Sequence, residues 1–171
     1  MKRILFVLVL LVCLVGQPTS VEAVNPTDMQ QSGVIVISAP SGPDITTTST
    51  TFVEIPKMKA RIVTAAVGSL FVTYCAEADV LGGPYSMFVQ ITDNGATLLP
   101  DGVIFAFGSS MHTHCFTFIE TNVAAGFHVI RANWTVQGGT ASMGDRTMTI
   151  TFAQSNAEEL RLQGDPQGMS T

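Results

Sequence analysis

Between residues 52 and 152 the chain repeatedly alternates apolar with polar residues, and short clusters of Gly, Asn, Asp and Pro interrupt the alternation at strand-length intervals. Side chains of an extended strand point to opposite faces in turn, so this pattern suits strands with one buried face. It does not suit helices, whose apolar stripe repeats about every 3.6 residues. Strands are expected at 34–37, 52–64, 69–76, 85–92, 96–99, 103–107, 112–120, 127–136 and 146–153. The turns between them carry suitable residues, among them Asp93-Asn94-Gly95, Pro100-Asp101-Gly102 and Gly138-Gly139. The fold class that follows is all-β, an antiparallel two-sheet β-sandwich of jelly-roll-like form, with an immunoglobulin- or fibronectin-like sandwich as the alternative.

Alternation also assigns faces. Leu70, Val72, Tyr74 and Ala76 fall on one side of their strand, opposite Phe71, Thr73 and Cys75. In the segment "HTHCFTF", His112, His114, Phe116 and Phe118 share a side opposite Thr113, Cys115 and Thr117. Ile130, Ala132 and Trp134, and likewise Met148, Ile150 and Phe152, are expected to point into the core. Tyr85 is assigned to the core by the same parity.

The N-terminus opens with Lys2 and Arg3, then an unbroken apolar run from Ile4 to Val15, then Gly16 and Pro18. It reads as a secretory signal peptide, residues 1–23, cleaved after Ala23. The run is shorter than the roughly 20 residues a membrane span needs. No further long apolar run follows, so no membrane span is expected after cleavage. Segment 24–51 reads as an N-terminal strand followed by an extended Pro/Gly/Thr/Ser connector, 52–153 as the sandwich domain, and 154–171 as a polar, disordered tail.

Cleavage removes Cys13 and leaves Cys75 and Cys115, in a chain bound for a compartment where disulfides persist. Both are at outward parity, which favours a bridge between neighbouring strands of one sheet over one that crosses the core. Cleavage also removes two cations and one acid, which takes the formal charge from −5 to −6. An acidic chain of this kind is not built for nucleic acid.

The stretch "AAGFHVIRANWTVQGGTASMGDRTMTI" resembles a C-terminal pattern of uncharacterised secreted bacterial jelly-roll or β-sandwich modules. In those modules Ala-Gly-x-His-x-Val-Arg-x-x-Trp is followed by Gly-Gly-Thr-Ala and Arg-Thr-Leu-Thr-Val. The matching positions are Ala125, Gly126, His128, Arg131, Trp134, Gly138, Gly139, Thr140, Ala141, Arg146 and Thr147. The resemblance implies a sandwich and brings no activity with it. Cys75, Cys115, His112 and His114 stand outside the pattern.

Few constellations carry chemistry. His112 and His114, about 7 Å apart on one strand face, could share a zinc or copper ion. Two ligands are too few, Cys115 has the opposite parity, and His128 begins a strand at the other end of the sandwich. Ordinary strand positions explain the pair better. Glu77, Asp79, Asp93 and Asp101 sit at strand ends and turns where extracellular β modules hold calcium, although no calcium-loop spacing is present. Lys57, Lys59 and Arg61 form a stripe that could meet an anionic polymer or a cell-surface glycan, or could simply keep an edge strand soluble.

There is no Gly-x-Ser-x-Gly elbow, and no histidine has a partner identifiable in sequence, so no catalysis and no cofactor are expected. What remains is a secreted protein, extracellular or periplasmic, acting as a non-catalytic structural or protein-interaction module. The alternative is an extracellular module that binds glycan or Ca²⁺. Partners would be a protein or a cell-surface polymer. An assembly role predicts homo-oligomers and an apolar outer patch, involving Phe71 or the segment 34–37 added to a neighbour's sheet edge.

Overall fold

The structure, a computed structural model, describes residues 27–29, 32–39 and 44–155. The signal peptide expected at 1–23 and almost all of the expected tail lie outside the described residues. Among the described residues eleven strands follow in chain order: β1 (Thr27–Met29), β2 (Ser32–Ala39), β3 (Ile45–Thr47), β4 (Val53–Thr64), β5 (Gly68–Leu81), β6 (Ser86–Asp93), β7 (Ala96–Thr97), β8 (Val103–Phe107), β9 (His112–Val123), β10 (Gly126–Val136) and β11 (Thr140–Gln154).

They form two sheets. A six-stranded sheet runs β1-β4-β10-β6, with β7 and β8 both paired to the far side of β6; a five-stranded sheet runs β2-β11-β5-β9, with β3 beside β11. Every pairing is antiparallel except β1 with β4. The chain is thus the all-β, two-sheet sandwich that the alternation requires.

The inward residues build one core between the sheets. Leu70, Val72, Tyr74 and Ala76 from β5 and Met148, Ile150 and Phe152 from β11 face Ile130, Ala132 and Trp134 from β10, all buried. Burial of a large apolar side chain is worth roughly 1.5–3 kcal/mol, so the period-two pattern is also the main source of stability. The β6–β7 hairpin turns on Asn94 and Gly95, whose φ values of 48° and 94° give the left-handed pair that a two-residue turn between twisted strands requires.

Several expectations change. β5 continues beyond residue 76 to Leu81, because Glu77 and Asp79 take outward positions while Ala78 and Val80 keep the inward ones buried. β11 begins at Thr140 rather than 146: Ala141 and Met143 pack inward, and the ladder to β5 shifts between Met143 and Arg146. That bulge turns Arg146 inward, where its guanidinium donates to the carbonyls of Gly144 (2.9 Å) and Pro56 (3.3 Å).

The stretch read as a connector carries β3, which pairs with the start of β11. Segment 34–37 is paired within its own sheet as part of β2. β2 is the edge strand of that sheet, so its other side carries no strand among the described residues. Tyr85 is 38% exposed, outside β6, with its ring against the Gly83 and Gly138-Gly139 turns. A Cβ at Gly139 would collide with the Leu81 carbonyl, so glycine there makes the close approach.

Candidate functional site

The hairpin turns fix where each polar side chain ends up. β9 begins with His112 opposite Ala78 and ends with Val123 opposite Gly68, so His112 and His114 lie at the opposite end of the sandwich from Gly126, where β10 begins. His112 is exposed and His114 half-buried. Their ring centroids are 6.3 Å apart, and His114 also rests 5.6 Å from Phe105. Phe116, assigned inward by parity, is exposed: β9 is the outermost strand of its sheet, and on it only Phe118 and the terminal Val123 are buried.

His128 has a full set of partners. Its Nδ1 is 2.5 Å from the Asp93 carboxylate on β6, and its Nε2 is 3.0 Å from the Ala124 carbonyl and 3.2 Å from the Thr64 hydroxyl on β4. Nδ1 thus faces the carboxylate, and Nε2 faces the carbonyl and the hydroxyl. Hydroxyl, imidazole and carboxylate therefore stand in the order of a hydrolase triad. The arrangement is a lock on the strand ends instead, because Thr64 is buried and its hydroxyl donates to Ala124 O at 2.9 Å. Asn94 reinforces the same corner, its amide donating to Phe127 O and its carbonyl oxygen accepting from Val129 N, both at 3.1 Å.

Glu120 approaches this corner from the five-stranded sheet. Burial, with a smaller contribution from the Asp93 charge, pushes its carboxyl above the ordinary range, and His128 partly offsets this. Asp93 Oδ1 and Glu120 Oε2 are buried without a hydrogen bond. Sequence reasoning missed this grouping. Asp93 reads as a turn residue and His128 as a strand residue, and only the pairing of β6 with β10 brings them together.

The other acidic candidates disperse. Glu77 is exposed and Asp79 buried on the second half of β5, at the opposite end from Asp93, and Asp101 lies in the turn before β8. Burial raises the Asp79 carboxyl, and Asp44 nearby adds to it. Among the described residues no group of three or more His, Cys, Asp or Glu side chains is arranged to hold a metal ion. The acids expected for calcium and the pair His112 and His114 are not joined into such a group.

Lys57, Lys59 and Arg61 project from β4 on the outer side of the six-stranded sheet. Lys57 takes φ 65° where the β4–β10 register is broken. Lys59 stands directly opposite Arg131, and Arg131 is paired with Glu54 at 3.3 Å. This outer face is charged.

The outer face of the five-stranded sheet is different. Its ladder aligns three rows across β2, β11, β5 and β9: Val34-Thr151-Phe71-Ile119, then Val36-Thr149-Thr73-Thr117, then Ser38-Thr147-Cys75-Cys115. None of these twelve residues is charged. Val34 and Val36 are 63% and 61% exposed, and Phe71 and Ile119 37% and 39%.

The face is held in shape laterally. Cys75 and Cys115 are bonded, with Cα atoms 4.1 Å apart, and the hydroxyls of Thr73 and Thr117 are hydrogen-bonded at 2.9 Å. The cross-strand disulfide inferred from parity is therefore present. Leu99 extends the first row by exchanging backbone hydrogen bonds with Ile119, and the segment from Thr97 to Pro100 and the β9 residues beside it line an open, mostly apolar groove of about 640 Å³.

No family model matches the chain, and no curated protein matches it. Among solved structures it is similar to the infectious bursal disease virus VP2 subviral particle, with a TM-score of 0.53, 14% identity and coverage of 73% of this chain and 34% of that one. It is also similar to the structure of the infectious bursal disease virus Gx strain, with a TM-score of 0.50, 12% identity and coverage of 74% and 33%. The chain spans about a third of the length of these proteins. At such identities the likeness is one of fold.

Proposed function

We propose that this protein is a secreted, non-catalytic structural or protein-interaction module of an extracellular or periplasmic compartment, and that it works by association through the outer face of its five-stranded sheet. The observation that carries this reading is that face: three successive rows without a charge, with exposed valines and a phenylalanine, held by a disulfide. Solvent-facing sheet surfaces usually carry charge, and contiguous apolar patches on them mark contact sites. The disulfide suits an oxidising compartment. That a similar sandwich occurs in a virus VP2 subviral particle supports an assembly role.

Nothing at the polar corner favours catalysis, since the Thr64 hydroxyl is committed to a carbonyl. Native mass spectrometry of the exported protein tests the proposal: it should show loss of residues 1–23, an intact disulfide and associated species. A chain that keeps its N-terminus and stays monomeric at high concentration refutes it.

A second reading, recognition of an anionic polymer, is favoured by one observation. Lys59 and Arg131 are directly opposed across two strands, and the single acid beside them, Glu54, pairs with Arg131 alone, so an anionic ligand would find a net positive patch there. Retention on a sulfated-polysaccharide column that vanishes in a Lys59→Glu variant would support it.

A further inference from the structure

Resting on the reading above, we infer that the partner seated on the outer face of the five-stranded sheet is the same face of a second copy of this chain, related by a two-fold axis parallel to the strands.

Charge selects the partner. The chain carries a formal charge of −5, so copies repel weakly overall, and pairing through the six-stranded sheet would oppose Lys59, Arg61 and Arg131 to themselves. Across the three uncharged rows two copies meet without juxtaposing like charges, and the acids of this face, Glu77 and Asp79, lie beyond the Cys75 level at one end of it, where they add to the repulsion that salt screens. A foreign partner would need no particular charge either, but an isologous contact asks only that the patch complement itself.

The rows fix the axis. Rotation about an axis parallel to the strands keeps each row level with its own counterpart while reversing strand order. Val34 then meets Ile119 of the second copy, and Phe71 meets Thr151. An axis across the strands would instead lay the apolar first row on Ser38, Thr147 and the disulfide. The first arrangement joins apolar to apolar and hydroxyl row to hydroxyl row, where the threonines can exchange hydrogen bonds. Leu99, bridged to Ile119, lengthens the apolar row at one end.

Size is sufficient. Four strands and four side-chain levels, counting the level of Ser69 and Ala153, span about 19 Å by about 27 Å. That is about 500 Å² per copy and about 1,000 Å² for a pair, the lower bound at which specific interfaces begin. A reversible dimer is the consequence, not a permanent one. Two sheets facing each other at about 10 Å separation reproduce the packing already used inside the sandwich.

Sedimentation equilibrium of the purified protein, at low and high salt, tests this. The expected result is a concentration-dependent dimer that salt does not weaken, because screening removes only the net repulsion. Phe71→Lys should raise the dissociation constant at least about tenfold by placing a cation at the centre of the contact. Ile104→Lys, exposed on β8 of the other sheet, should leave it unchanged. Thr149→Lys serves the same purpose as Phe71→Lys on a smaller side chain, and circular dichroism establishes that each variant is folded. Association that survives both Phe71→Lys and Thr149→Lys overturns this inference while leaving the proposed assembly role in place. A protein that is monomeric at every concentration overturns both.

Discussion

Replacing Cys75 and Cys115 together by threonine isolates what the covalent bridge contributes. The neighbouring pair, Thr73 and Thr117, already shows how two threonines sit opposite each other on β5 and β9, with hydroxyls 2.9 Å apart. Cys75→Thr/Cys115→Thr should therefore keep the ladder and the outer face and lose only the cross-link. The bridge closes a loop with a sequence separation of 40, which contains β6, β7 and β8. In the chain-entropy model a loop of that size is worth about 4 kcal/mol, and engineered or removed bridges commonly realise 2–4 kcal/mol. Equilibrium urea unfolding reads this directly. With a slope of about 2 kcal/mol per molar, the midpoint should fall by about 1–2 M, with the slope little changed if the denatured state remains comparably open. Reduction of the wild-type protein should produce a fall of the same size. A shift under about 0.3 M in both would refute the reasoning, because the long-range closure would then have no energetic weight.

Three further outcomes follow from the same structure. His128→Leu leaves the Asp93 carboxylate buried without its partner and should cost about 3–5 kcal/mol, measured by urea unfolding, whereas Asp93→Asn in the same assay should cost less because the amide keeps a hydrogen-bonding group at the ring. Burial raises the Glu120 carboxyl in the folded protein, so between its unfolded and folded values the native state binds more protons and stability falls as pH rises. Glu120→Gln should raise the melting temperature at neutral pH and flatten that slope in a pH series starting near pH 4, and an unchanged slope would show that Glu120 is not its source. Gly139→Ala places a Cβ against the Leu81 carbonyl in a residue with φ 71°, so a loss of about 1–3 kcal/mol and a changed Tyr85 fluorescence are expected.

Local residues wrote much of this fold. Thr147, Thr149 and Thr151 alternate with Met148, Ile150 and Phe152, and that alternation needs no tertiary knowledge to be read as a half-buried strand. Where it misled, the cause was position within the sheets. Phe116 has inward parity yet is exposed, because β9 is the outermost strand and little of the opposing sheet reaches it. Tyr85 precedes its strand and lies over glycines. β3 carries only three paired residues and no alternation long enough to see.

The disulfide was legible because both cysteines share outward parity, a local property of each strand. The grouping of Asp93, Thr64 and His128 was not, since its members come from β6, β4 and β10 and their proximity depends on strand order. The same holds for the uncharged rows: each contributing strand shows its outward residues, but Val34, Thr151, Phe71 and Ile119 become one surface only through the register of four strands.

The sequence by itself determined the strands, their buried faces and the chemistry available at each outward position, because side-chain direction in an extended chain alternates whatever the neighbours are. Which outward positions lie side by side, and hence that one sheet face opposes cations while the other carries three successive uncharged rows, was decided by tertiary structure alone. Strand order and register are collective solutions to packing both sheets on one core, and no single segment contains them.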